Sequence, residues 1–176
     1  MPSFLAHTLA AAPPAIDAFY RAIATASFTL LGLWWVVVVS RYARGEGSPL
    51  HRRHAYGIAL FFLLPGIMSL IASVNSDLST LWRVAFGVCG AIGIVEVVLY
   101  LATGGARTAI GLALRGCGLT LYALIALVAI RPPLVVDAGL GLHPQELESV
   151  LLGGLLFVGA HLVWLALTEP AETAGA

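Results

Sequence analysis

Two full charges stand inside apolar runs of the chain. Glu96 lies in the run 81–102 and Arg115 lies in the run 108–130, and the short turn TGGAR joins the two runs. In an antiparallel helical hairpin, residues that are equally far from the turn lie at the same depth. With a rise of about 1.5 Å per residue, both charges are expected roughly 10 Å inside one membrane boundary. The spacing therefore predicts that the carboxylate and the guanidinium meet.

Small and weakly polar residues accompany both charges at helical spacing. A charge at the centre of a membrane helix costs about 2.5 to 3.5 kcal/mol even on lenient scales, so an unpaired carboxylate or guanidinium is unfavourable. A bidentate bond between Glu96 and Arg115 would offset much of this cost. Two interpretations stay open, because the pair either fixes helix register or an assembly contact, or forms part of a functional site. On the fourth run, Arg115 shares one stripe with Thr108, Gly111, Gly118 and Tyr122.

A histidine in the last apolar run is predicted to join the same layer. His161 lies about seven residues before the end of that run. Its imidazole has an unperturbed pKa of about 6.5, which suits the handling of protons near neutral pH. The alternative is a histidine that only packs and forms a hydrogen bond. The candidate residues for an ion pathway are Glu96, Arg115, His161, Tyr122 and Trp34.

Seven-residue repeats predict narrow polar seams that face protein rather than lipid. One seam consists of Tyr20, Ser27, Trp34 and Arg41 on the first run. A second repeat, Gly154, His161 and Thr168, predicts a matching seam on the last run. For Trp34 the alternative is an aromatic belt at the membrane interface.

Two further groups of residues are candidates for a role in transport. Pro65 removes a helical hydrogen bond in the middle of the second run, and Gly66 follows it, so a kink or hinge is expected there. A polar rim, which is either an entrance vestibule or an interfacial network, is predicted at the opposite membrane face from the turn TGGAR. Its members are Asp17, Arg21, Asn75, Asp77 and Arg83.

The elements that position these residues follow from composition. Of 176 residues, 60% are hydrophobic and only 10% are charged, which exceeds the apolar content of soluble domains. A hydrocarbon core of about 30 Å requires roughly 20 apolar residues per helix. The sequence predicts an all-α integral membrane protein, with one domain spanning 1–176 and a bundle of five transmembrane helices. The predicted spans are 18–39, 55–74, 81–102, 108–130 and 150–167.

The arginines set the predicted orientation. Four of them, Arg41, Arg44, Arg52 and Arg53, lie in or beside the first loop, and Arg107 lies in the third. Because basic loops remain in the cytoplasm, these two loops are expected inside. With five spans the N-terminus is then outside and the C-terminus is cytoplasmic. We expect a multi-pass protein of the cell inner membrane or plasma membrane.

Sequence motifs exclude several classes of function. The chain has no H-E-x-x-H, G-x-S-x-G or Gly-rich phosphate loop, so no catalytic residues are predicted. Cys89 and Cys117 both lie in apolar runs and predict neither a disulfide framework nor a metal site. No cofactor is predicted, and a net charge of zero gives no support for nucleic-acid binding.

Two functional hypotheses remain. The first is an oligomeric ion or proton channel or transporter, in which the layer of Glu96, Arg115 and His161 controls passage. The second is a non-catalytic membrane subunit, in which the same layer docks a helix of a larger complex. The expected partners are the lipid bilayer and either further copies of this chain or another membrane subunit.

The orientation is tested by the accessibility of introduced cysteines. In intact cells, the introduced cysteine of a Ser48→Cys variant should be protected from an impermeant thiol reagent. The introduced cysteine of a Gly141→Cys variant should react. The unmodified protein, whose two cysteines lie in predicted spans, is the control. The opposite pattern of labelling would overturn the predicted orientation.

Overall fold

The computed structural model describes residues 14–44, 49–74, 79–103, 108–139 and 141–168. All regular structure within these residues is helical, and five helices are long and apolar enough to cross a membrane. This confirms the predicted helical class and the predicted number of helices that are long and apolar enough to span a membrane. The helices are α1 (Pro14–Ala43), α2 (Pro49–Val74), α3 (Ser79–Ala102), α4 (Ala109–Ile130), the short α5 (Pro133–Asp137) and α6 (Pro144–Thr168).

Several helices extend beyond the predicted apolar spans. The first helix has 30 residues and the last has 25, against predicted spans of 18–39 and 150–167. At about 1.5 Å per residue, even the shorter of the two is longer than a hydrocarbon core of about 30 Å. The added turns carry polar residues that a search for apolar runs does not include.

Local chemistry explains where two of these helices begin. The Thr108 side chain accepts a hydrogen bond from the Gly111 amide at 3.1 Å and thereby caps α4. At the start of α6, the Glu146 carboxylate accepts the His143 amide at 2.7 Å. The last helix therefore begins at Pro144, ahead of the predicted apolar span 150–167.

The second helix forms the centre of the bundle. α1, α3 and α6 all pack against α2, while α4 packs between α3 and α6. In α2 the most apolar stretch is 67% buried, the largest fraction among the five long helices. We name the two ends of the bundle by their arginines. The Arg41 end contains the end of α1 and the start of α2, and the Arg83 end contains the start of α3 and of α6.

Glycines allow these helices to approach one another closely. A Cβ on Gly93 of α3 would overlap the ring of Tyr122 on α4, and a Cβ on Gly118 would lie 2.5 Å from the Phe61 ring. Small residues at helix contacts are the usual means of close packing in membranes. The core of the bundle is therefore built from aromatic rings that pack against bare backbone.

The helix α2 continues through Pro65 without a break. Gly66, the next residue, packs tightly against α1, because a Cβ there would lie 3.0 Å from the Phe28 ring and 3.2 Å from Ser27 Cβ. Close packing alone thus accounts for a glycine at this position. The hinge role of Pro65 and Gly66 stays a prediction.

Substitution of two glycines of α3 tests the packing. Gly93→Ala should destabilise the bundle by about 1–3 kcal/mol, because the buried Tyr122 ring has to move. Gly87→Ala is the matched control, since nothing lies within 4 Å of a Cβ at Gly87. The measurement is thermal unfolding in detergent. Equal stability of the two variants would contradict the packing described for Gly93.

Candidate functional site

The structure brings Glu96 and Arg115 to one place at the Arg41 end, beside Gly57 of α2. A Cβ on Gly57 would lie 3.0 Å from Glu96 Oε1 and 3.5 Å from Arg115 Nη1. Both polar atoms therefore lie within 3.5 Å of one point on the central helix. The absence of a side chain at Gly57 provides the space that the two charged groups occupy.

Aromatic rings surround the Arg115 guanidinium. Arg115 is only 3% exposed, and its Cζ lies 3.6 Å from the centroid of the Tyr100 ring and 5.9 Å from that of Phe61. A guanidinium over an aromatic face is stabilised by the ring quadrupole, and more so when water is excluded. The Tyr100 ring also packs against His54, with the ring centroids 4.8 Å apart. The arginine is thus held by rings as well as by the nearby carboxylate.

The pair does not form the expected bidentate bond. Glu96 Oε1 and Arg115 Nη1 are both buried and have no hydrogen-bond partner among the described residues. A bidentate bond requires both carboxylate oxygens to accept, so this prediction is wrong. The two charges interact at longer range beside Gly57, and one donor and one acceptor there have no partner among the described residues.

Glu96 also lines a groove on the outer face of the bundle. The groove has a volume of about 320 Å³ and lies between α2 and α3. Its walls are mainly apolar, and Glu96 is its one charged lining residue. We call it the Glu96 groove, and it is lined by Tyr56, Leu60, Ala91, Ile92, Val95 and Glu96. Arg115 lies buried behind the carboxylate. Glu96 therefore faces the groove, and Arg115 faces the interior of the bundle.

His161 does not face this layer, and the prediction that it does is wrong. Its side chain is exposed on the surface of α6, where Nδ1 lies 2.8 Å from the Phe157 carbonyl oxygen and the ring packs on the Phe157 ring. The core face of α6 includes Leu155, Val158 and Leu162, which places position 161 on the outer side. The predicted seam on α6 is also wrong, since Thr168 is exposed as well.

The seam predicted on α1 does face the protein. Tyr20, Ser27 and Trp34 are all buried. The Trp34 indole donates to the Ala55 carbonyl at 2.8 Å, so this ring anchors α1 to α2 rather than to a membrane interface. In α4, the buried Tyr122 hydroxyl similarly donates to the Leu60 carbonyl at 3.2 Å. Both residues have backbone partners, and neither contacts the Glu96 groove as a lining residue.

The predicted outer rim is described only in part. Arg83 donates to the carbonyls of Ala129 and Ile130 at 2.9 and 3.0 Å, so it binds the end of α4. Arg21 is exposed and Asp17 is half-buried. Asn75 and Asp77 lie outside the described residues. The cysteines also differ from one another, because Cys89 is buried and Cys117 is exposed.

One buried acidic residue was not predicted as a site residue. Glu148 is 0% exposed, and neither of its carboxyl oxygens has a hydrogen-bond partner among the described residues. Glu148 and Glu146 are both acidic residues in the first turns of the last helix, so residue type and position do not distinguish them. The signal that distinguishes them is helical spacing, because Glu148 shares a face with Gln145, Leu152 and Leu155.

The described residues contain no group of three or more His, Cys, Asp or Glu side chains that could hold a metal ion. The chain matches no protein-family model, and neither a characterised protein nor a solved structure matches it. The geometry described above defines the candidate site. It consists of the layer of Gly57, Glu96, Tyr100 and Arg115 together with the Glu96 groove.

A double-mutant cycle tests whether the two charges interact. Glu96→Gln and Arg115→Gln should each destabilise the protein, by up to about 3–5 kcal/mol, because each leaves the other charge unbalanced. The double variant should be less destabilised than the sum of the two changes. The measurement is thermal unfolding in detergent.

The control cycle pairs Arg115→Gln with His161→Ala. Since His161 faces outward, the effects of these two changes should add. Additive effects in the Glu96 cycle as well would show that the carboxylate and the guanidinium do not interact.

Proposed function

We propose that this protein is a small ion or proton transporter in which the Glu96 groove forms part of the pathway. The observation that carries the proposal is that a buried arginine lies behind a carboxylate at an outward-facing groove. An ionisable pair inside a membrane usually marks a pathway for ions or protons. The pair supplies one fixed positive charge and one carboxylate that is open to a ligand.

The core of one copy is filled at the middle of the bundle. Large side chains with little or no exposure occupy it, among them Phe61, Phe62, Phe86 and Leu155. A single copy with such a core is suited to a carrier or to a pathway at its surface, and not to an open central pore. This argues for passage along the Glu96 groove.

A groove that carries a carboxylate is costly to leave in contact with lipid. Glu96 is half-buried and the other lining residues are mainly apolar, so a covering protein surface would remove the contact between charge and hydrocarbon. We infer that a second copy of the chain covers the groove. Transport and an oligomeric state are thus parts of one proposal.

The layer has two charge states that could couple an ion to a structural change. When Glu96 is ionised, it balances Arg115. When Glu96 takes up a proton, the arginine is left with the Tyr100 ring, 3.6 Å from its Cζ, as its main source of stabilisation. Proton uptake would therefore weaken the attachment of α3 to α4. Glu96 and Arg115 would then be able to move relative to each other, since no side chain at Gly57 separates the two groups.

The second candidate function is a non-catalytic subunit of a larger membrane complex. The same groove favours it, because an apolar cleft with one carboxylate also suits a foreign helix with a complementary polar residue. The two candidates differ in what covers the groove and in whether ions cross the membrane.

The transport proposal is tested by flux in liposomes. The purified protein should carry protons or monovalent cations, and Glu96→Gln should reduce the flux to that of empty liposomes. Glu146→Gln is the matched control, since Glu146 caps the start of α6 and glutamine also serves in that role. Absence of flux in the unaltered protein would contradict transport and favour the subunit.

The covering of the groove is tested separately by disulfide cross-linking between copies. In a variant without Cys89 and Cys117, Ile92→Cys on the groove wall should form a cross-linked dimer in membranes. Leu112→Cys is the control, because Leu112 is exposed on α4 and lies outside the groove. Equal cross-linking at the two positions would contradict a second copy at the groove.

A further inference from the structure

A second ionisable site lies at the Arg83 end, on the opposite side of the core from the Glu96 groove. Glu148 has no exposed surface, and both of its carboxyl oxygens lack a hydrogen-bond partner among the described residues. It lies about 6 Å along α6 from the first residue of that helix. A carboxyl in this position is near the membrane boundary but sealed from water by the packed helices.

The buried residues of α2 and α4 that lie level with Glu148 are apolar. α2 runs opposite to α6 and Gly159 meets Phe62, which brings the turn around Ala72 to the level of Glu148. From α4, the contact of Gly154 with Leu121 brings Val128 to the same level. Neither facing side chain supplies a charge. An ionised carboxylate here would be a buried charge without compensation, which costs far more than a neutral carboxyl.

The first helix supplies one polar group near this level. The Tyr20 hydroxyl donates to the Gln145 carbonyl at 2.8 Å, one helical turn before Glu148. Tyr20 is itself 2% exposed, and its ring packs edge-on against Phe86. The hydroxyl thus donates a hydrogen bond to the backbone of α6, and the Tyr20 side chain lies between the Glu148 carboxyl and the Arg83 end of the bundle.

Among the described residues, the aspartates and arginines of this end do not provide a counter-charge to Glu148. Asp17 on α1 is half-buried and would repel a carboxylate, and Asp137 on α5 is exposed. Arg83 is bonded to the carbonyls at the end of α4, and Arg131 is exposed. The ring nitrogens of His143, just before α6, are buried without a hydrogen-bond partner among the described residues.

We propose that Glu148 is a proton-binding site. The carboxyl is neutral in the closed bundle, and its proton exchanges with water at the Arg83 end when the contact between Tyr20 and Gln145 opens. The site is separate from the Glu96 groove, and the proposal does not require that the protein transports ions. Only a proton moves, from water to the carboxylate and back.

Infrared difference spectroscopy of the full chain in lipid bilayers tests the charge state directly. The spectrum of the unaltered protein minus that of Glu148→Gln, at neutral pH, should contain the carbonyl band of a protonated carboxylic acid. Transfer to heavy water should shift this band, because the proton exchanges. Glu146→Gln is the matched control and should not remove the acid band, since that side chain accepts a backbone amide at the helix start.

The stability of the protein gives a second and independent readout. An exposed carboxyl in the unfolded chain loses its proton near a pKa of about 4.3, whereas the folded site keeps it. The folded chain then binds more protons, so its stability should fall as the pH rises. Glu148→Gln should remove this part of the fall, because the amide stays neutral.

Each result decides the proposal. An acid band that is lost in Glu148→Gln and shifts in heavy water supports it, as does a smaller loss of thermal stability with rising pH in that variant. If the difference spectrum contains carboxylate bands in place of the acid band, Glu148 is ionised in the unaltered protein, and the proposal is overturned. An acid band that never shifts would overturn exchange with water. Parallel pH profiles of unfolding would also contradict the site.

Discussion

A charge in hydrocarbon is costly, and the ionisable side chains of this bundle are arranged so that this cost is reduced. Glu96 and Arg115 meet beside Gly57, and the Tyr100 ring lies 3.6 Å from the guanidinium carbon. The two groups thereby reduce a cost of about 2.5–3.5 kcal/mol each. Glu148 shows a different solution, because it has no described partner and is sealed in the core. The charges of Glu96 and Arg115 thus balance each other, whereas the surroundings of Glu148 favour a neutral carboxyl.

Arginines at the two ends hold the helices in this arrangement. Arg41 donates to the Ala166 carbonyl at 3.0 Å near the end of α6, and Arg83 donates to the last carbonyls of α4. Carbonyls at helix C-termini lack intrahelical partners and carry partial negative charge. Each arginine therefore binds the end of another helix, which ties α1 to α6 and α3 to α4. The packed aromatic core lies between these two ends.

The sequence predicted the helices and one pair of charges because each depends on local spacing. Apolar runs define five helices, and distance from the turn places Glu96 level with Arg115. The direction of a single side chain was harder to predict. His161 lies one position from the buried Leu162, and the rotation of α6 places the histidine outside. Glu148 was overlooked for the same reason, because which face of α6 is buried depends on its contacts with α1, α2 and α4.

We expect protein, and not lipid, to cover the charged layer at the Glu96 groove. This expectation is tested most directly by the oxygen accessibility of a spin label in bilayers, since oxygen dissolves in the hydrocarbon. A label at Ile92 on the groove wall should be protected, whereas a label at the exposed Val84 of the same helix should be accessible. Equal accessibility at the two positions would show that the groove faces lipid and is not covered by protein.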